Sequence, residues 1–183
     1  MSNSLFAIER ARPEKAAELL DYLKIVGGET DNLSFGAEGV PLSLEAERDY
    51  LRAQCDSNDN VQYFARADGE IIGTASLSRR SSRMSHRGVF GISLKKAWWG
   101  YGAASALMEA ILAFAREKGF EQLNLEVRSS NARAIRLYEK YGFQKLCTFP
   151  HFFKINGEYI DFDLMNLELN EADNQAGEDM KCR

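Results

Sequence analysis

The chain has 183 residues, 45% of them hydrophobic and 27% charged, the balance of a soluble globular domain that buries a core without disulfides or metals. A net charge of -4 argues against nucleic acid as the main partner. No apolar run nears the ~20 residues that span a bilayer, so no membrane association is expected. Residues 1 to 10 carry Glu9 and Arg10 where a signal peptide needs an apolar stretch. Cys55, Cys147 and Cys182 are odd in number and scattered, and with only His86 and His151 besides they offer no metal-ligand spacing. A reducing cytoplasm is the expected compartment.

Leu5 to Glu9 reads as a first strand. Pro13 suits the start of a helix whose apolar stripe is Ala16, Ala17, Leu19, Leu20 and Leu23, with Gly27-Gly28 expected to end it. A polar loop runs from Glu29 to Pro41, and Ser43 is placed to cap a second helix reaching about Gln54. Val61 to Ala67 and Glu70 to Leu77 are strands joined at Asp68-Gly69, a hairpin signal. After a basic, serine-rich turn at Arg79 to Arg83, His86 to Leu94 forms a fourth strand. A long helix spans Ala103 to Lys118 and Gly119 closes it. Leu123, Leu125 and Val127 alternate as a fifth strand, and Asn131 caps a helix to Lys140 that Gly142 ends. Phe143 to Phe149 starts a sixth strand, and Asn156-Gly157 turns the chain into a seventh. The order β-α-α-β-β-β-α-β-α-β-β implies an α+β fold, an α/β sandwich with a mixed sheet. One domain is expected over residues 1–167, followed by an acidic polar tail, 168–183, with the composition of a disordered segment.

Between the fourth strand and the long helix lies Trp99-Gly100-Tyr101-Gly102-Ala103-Ala104. Glycines one residue apart leave backbone N–H groups bare toward an anion. The helix behind adds unpaired N–H groups and the positive end of its dipole, which together make a pyrophosphate seat. A dinucleotide fold wants Gly-x-Gly-x-x-Gly/Ala after a first strand. Here Ser105 holds the third position, and the turn follows an antiparallel hairpin in mid-chain. A P-loop fails because no Gly-Lys-Ser/Thr occurs.

Taken with Asn131-Ala132-Arg133-Ala134-Ile135-Arg136-Leu137-Tyr138-Glu139-Lys140-Tyr141-Gly142-Phe143, the turn resembles the GNAT superfamily of acyl-CoA-dependent N-acetyltransferases, over roughly Leu5 to Leu167. That family's phosphate loop reads Gln/Arg-x-x-Gly-x-Gly/Ala. Gly102 and Ala104 match it, while Trp99 stands where Gln or Arg is usual and either packs or meets the phosphates. The resemblance implies a mostly antiparallel sheet with splayed fourth and fifth strands, flanked by helices. It implies acetyl-CoA as co-substrate, with Ile92, Ser93 and Leu94 presenting backbone to the pantetheine arm and Gly100, Tyr101 and Ala103 completing the phosphate turn. Asn131 and Ala134 then lie toward the pantetheine or acceptor side, and Arg133 and Arg136 are either phosphate contacts or solvated side chains.

Tyr138 follows Asn131 by seven residues, two helical turns, and so shares its face. Its motif position matches the family's tyrosine beside the CoA sulfur, which implies a general acid; a phenol with pKa about 10 can protonate a thiolate whose thiol has pKa about 8.5. Acetylation also needs a neutral amine and therefore a base. The family's usual strand-four glutamate is missing from His86-Arg87-Gly88-Val89-Phe90-Gly91-Ile92. His86, Glu29 and water are the alternatives for the base, and Glu29 or Asp31 for the acceptor side. The expected activity is acetyl transfer to a primary amine of a small molecule or protein by direct attack in a ternary complex, without a metal. Either a monomer or a homodimer would serve. A non-catalytic acyl-CoA sensor is the alternative on the same fold.

Overall fold

A computed structural model describes residues 5–169. The elements are β1 (Ala7–Arg10), α1 (Ala16–Glu29), α2 (Leu44–Asp56), β2 (Asn60–Ala67), β3 (Glu70–Arg79), β4 (Arg87–Leu94), α3 (Ala103–Glu117), β5 (Gln122–Arg128), α4 (Ala132–Lys140), β6 (Gln144–Ile155) and β7 (Glu158–Glu168). Their order is the one expected from sequence. The strands form a seven-stranded sheet in the order β1-β2-β3-β4-β5-β7-β6. Within it β4 and β5 run parallel, while β1–β2, β2–β3, β5–β7 and β6–β7 are antiparallel. The fold is the mixed α+β sheet with helices that the sequence implied. Most of the 168–183 tail, from residue 170, lies outside the described residues. Among the described residues no helix is long and apolar enough to cross a membrane.

The described residues divide into two compact units, 5–78 with 90–112 and 79–89 with 113–169, so that β4 and α3 each contribute to both, as does β3 through Arg79. The first unit's core joins Leu19, Tyr22 and Val26 of α1 to Leu51 of α2, Phe64 of β2 and Ile71 of β3. Ser43 caps α2 as expected, its Oγ accepting the Ala46 N–H at 3.1 Å. Gly27-Gly28 does not end α1, which continues to Glu29. A Cβ at Gly27 would sit 2.0 Å from the Gly36 carbonyl oxygen. The glycine therefore serves close approach of the 30–43 connection to the helix rather than termination. Leu33 and Phe35 of that connection pack onto the same core.

In the second unit β5 and β6 flank β7. The β6 strand runs six residues past the expected Phe149. Pro150 cannot donate to a ladder, and the pairing breaks between Phe149 and Phe153, with His151 at φ 57°. Pairing then resumes to Ile155, so the proline marks a bulge and not a strand end. Buried Asp163, 4% exposed, accepts hydrogen bonds at Oδ1 from Ser129 Oγ at 2.6 Å and Thr148 Oγ1 at 2.9 Å, and pairs with Lys145 Nζ at 2.9 Å. Burial works against its charge, but hydrogen bonds from Ser129, Lys145 and Thr148 outweigh it and hold the carboxyl below its ordinary value.

Asp163→Asn is expected to cost about 2 kcal/mol in urea unfolding at neutral pH, because two hydroxyls and an ammonium lose a charged acceptor. Since the folded pKa is depressed, this stability is present above the unfolded value of about 3.9 and is lost as pH falls through the folded one. The wild-type advantage should therefore shrink below pH of about 4; an advantage unchanged by acid would show that the charge contributes nothing.

Candidate active site

In the first unit β4 ends at Leu94 and a short 3-10 turn, Lys96–Trp98, leads toward α3. Gly100 and Gly102 both take left-handed backbone, with φ of 88° and 89°. A Cβ at either would meet nothing within 4 Å. Backbone conformation, not crowding, requires glycine there, and the space before the backbone stays open. The Gly102 carbonyl accepts the Ala106 N–H at 3.0 Å and so opens α3. The Ala103 and Ala104 N–H groups stand in the first turn, where a helix supplies no internal acceptor. Ala103 is buried and Tyr101 is exposed.

Three bonds pin this connection. The Lys95 N–H donates to the Ile72 carbonyl at 2.9 Å, the Lys96 N–H to Glu29 Oε2 at 2.6 Å, and the Trp99 indole N–H to the Leu94 carbonyl at 3.1 Å. Trp98 meets the Tyr101 ring edge-on at 5.9 Å. Trp99 thus ties the turn back to the end of β4, a structural role for the side chain that replaces Gln or Arg. Glu29 likewise holds the turn through its carboxylate.

Gly91, Ile92 and Ser93 of β4 line a pocket of about 310 Å³, walled by α1, the 30–43 connection, α2, β2 and β3. Ser93 Oγ shares a hydrogen bond of 2.9 Å with the Tyr22 hydroxyl. Leu19, Leu23, Leu33, Phe35, Val40 and Leu42 give apolar lining, and Tyr50, Thr74 and Ser76 add hydroxyls to that of Ser93. Glu47 and Gln62 also line it, only 3% and 7% exposed. Burial pushes the Glu47 carboxyl above its ordinary value. Gln62 donates through Nε2 to Thr74 Oγ1 at 3.0 Å, while its Oε1 is buried without a partner among the described residues. Neither residue was singled out from sequence. The signal was there: Glu47, Leu51 and Gln54 are the buried positions of α2, spaced i, i+4, i+7, so a carboxylate occupies the stripe that faces inward. Glu29 and Asp31 are not among the lining residues.

In the second unit, Asn131 caps α4, its Oδ1 accepting the Ala134 N–H at 3.2 Å. Tyr138 is the buried residue of α4, 6% exposed, its ring 5.8 Å from that of Phe143. Burial pushes its phenol well above the ordinary range, so the group stays protonated. Arg133 and Arg136 are exposed. His86 immediately precedes β4, and its carbonyl accepts the Glu121 and Gln122 N–H groups at 2.9 and 3.3 Å.

A mixed sheet and a double-glycine turn between a strand and a helix are the features that the resemblance implied. Residues 32–143 match the family model described as Acetyltransferase (GNAT) family, and the chain belongs to that family. An L-amino acid N-acetyltransferase of Escherichia coli, AaaT, is 34% identical over 55% of this chain and 63% of its own length. N-acetyltransferase 8B of Homo sapiens is 25% identical over 63% of this chain and 51% of its own. The matches with these two relatives thus span only about half to two thirds of their length. Among solved structures, a GNAT-family acetyltransferase from Streptococcus pneumoniae superposes with a TM-score of 0.86 at 30% identity, covering 90% of this chain and 99% of that one. The yncA protein of Salmonella typhimurium, solved with its cofactor acetyl-CoA, shares the fold at a TM-score of 0.79 and 20% identity, over 91% of this chain and 95% of its own.

Gly102→Val forces a β-branched residue into left-handed backbone and fills the open face of the turn. Calorimetric titration with acetyl-CoA should show no binding to this variant. Undiminished affinity would contradict a phosphate role for the turn. Trp99→Phe removes the indole bond to Leu94 and should lower stability by about 1 kcal/mol, read from the urea midpoint; no change would show that the turn is held without it.

Proposed function

We propose that the chain transfers an acetyl group from acetyl-CoA to a primary amine by direct attack in a ternary complex. The observation that carries this reading is the pinned double-glycine turn ahead of α3. Its open, left-handed backbone fits a pyrophosphate, with Gly100, Tyr101, Gly102, Ala103 and Ala104 supplying N–H groups and Trp99 fixing their position. Acetyl-CoA supplies an activated acyl carbonyl and a thiolate leaving group. Ile92, Ser93 and Leu94 present the strand backbone to the pantetheine arm in this reading, and Asn131 and Ala134 begin the helix that carries the acid.

Tyr138 is that acid. Its burial keeps the phenol protonated across the working range, so it holds a proton for the departing sulfur rather than taking one. The role is supported by its place in the motif from Asn131 to Phe143. His86 stays a weaker choice of base, since it precedes β4 while the residues assigned to the thioester end that strand. The names of AaaT and of an L-methionine sulfoximine/L-methionine sulfone acetyltransferase of Pseudomonas paraeruginosa make amino acids one acceptor class to test.

Release of free CoA thiol, followed over a panel of amines and amino acids, tests the reading. Amine-dependent release is expected; tight acetyl-CoA binding with no release on any acceptor would replace the transferase with a sensor. Tyr138→Phe should lower kcat by about 100-fold, the scale of a lost general acid, with acetyl-CoA affinity retained. Equal turnover by the variant across the pH range would remove Tyr138 from the acid role.

A further inference from the structure

The pocket beside β4 says more about the acceptor than the fold does. Its apolar walls come from Leu23 of α1, Leu33, Phe35, Val40 and Leu42 of the connection, and its polar lining includes Glu47 and Gln62. Both are more than nine-tenths buried, and the Gln62 Oε1 atom lacks a donor among the described residues. No hydrogen bond or ion pair engages the Glu47 side chain among them either. A carboxyl group without a partner on the wall of this pocket is best matched by a cation that donates hydrogen bonds to it. None of the residues lining the pocket is Lys, Arg or His.

We infer that this pocket receives an apolar amine without a carboxylate, its ammonium group held by Glu47 and its hydrocarbon body by the leucine and phenylalanine walls. An amino acid would bring its own carboxylate into the same space, where it finds one negative charge and no positive one. Before attack the nitrogen must shed a proton: an N–H bond breaks, an O–H bond forms on Glu47, and the nitrogen keeps the electron pair. Burial, which raises the Glu47 carboxyl, narrows the gap that this transfer must cross. Glu47 thereby supplies the carboxylate that β4 lacks. This inference rests on the proposed acetyl transfer for its chemistry, but the binding claim stands on the pocket alone.

2-Phenylethylamine and L-phenylalanine share one hydrocarbon body and differ by one carboxylate, so the wild-type protein can be tested without any variant. With acetyl-CoA present, kcat/KM for 2-phenylethylamine should exceed that for L-phenylalanine by about 100-fold or more, the scale of an uncompensated buried charge. Glu47→Gln should lower the value for the amine by about 100-fold, with acetyl-CoA affinity unchanged as the check on folding. L-Phenylalanine acetylated as well as the amine, or better, would overturn the inference and leave the transferase reading intact. Should no acceptor be acetylated, a rise in melting temperature with 2-phenylethylamine, seen in wild type and absent in Glu47→Gln, would support the pocket assignment while the transferase reading fails. No acetylation and no melting shift would overturn both.

Discussion

A turn that is to seat a multiply charged ligand on bare backbone, as proposed for the β4–α3 connection, must be held still, and bonds to its own unit hold this one. Left-handed glycines at 100 and 102 are conformationally permissive, and permissive backbone is costly to order. The Trp99 indole on the Leu94 carbonyl, the Glu29 carboxylate on the Lys96 N–H and the Lys95 bond to Ile72 share that cost before any ligand arrives. The last helical residue of α1, the end of β4 and the start of α3 thereby meet around one short segment. In the proposed reading, a tryptophan in place of the family's usual Gln or Arg exchanges a side chain for the phosphates for one that fixes the backbone N–H groups.

The same unit shapes the pocket by a second close approach. Gly27 admits the Gly36 carbonyl against α1. The connection carrying Leu33, Phe35, Val40 and Leu42 can then wall the space that Gly91, Ile92 and Ser93 close on the strand side. Because α2 turns Glu47, Leu51 and Gln54 inward together, its buried face is partly polar. Such a face would be a defect in a pure packing helix. Beside a pocket it becomes a place where charge can be matched.

Residues whose local chemistry acts alone were legible in the sequence. Ser43 and Asn131 cap their helices, Gly119 takes left-handed backbone after α3, and Asp68-Gly69 turns the β2–β3 hairpin with both residues at positive φ. The glycine turn could be read for the same reason, since glycine spacing is itself the signal. What escaped depended on distant partners. Gly27-Gly28 looked like a helix stop because the carbonyl that needs the missing side chain lies in the connection beyond α1. The second half of β6 lies beyond Phe149, where a bulge interrupts the ladder and pairing with β7 resumes. Glu47 drew no reading from the sequence, and it is the walls brought by other elements that bury it. Tyr138 was found through its motif, whereas its burial comes from packing that helical spacing alone does not specify.

Most depends on the proposed seating of a pyrophosphate by backbone N–H groups at Gly100 to Ala104. Calorimetric titration of the wild-type protein and of Gly102→Val with CoA and with pantetheine tests it, since pantetheine keeps the arm and the thiol but lacks the pyrophosphate and the 3′-phosphoadenosine beyond it, and the variant alters only the turn. CoA is expected to bind the wild-type protein tighter than pantetheine by about 100-fold or more, the worth of two or so hydrogen bonds to a charged group, and to lose that advantage in the variant. Equal wild-type affinity for the two, or an advantage kept in the variant, would contradict it.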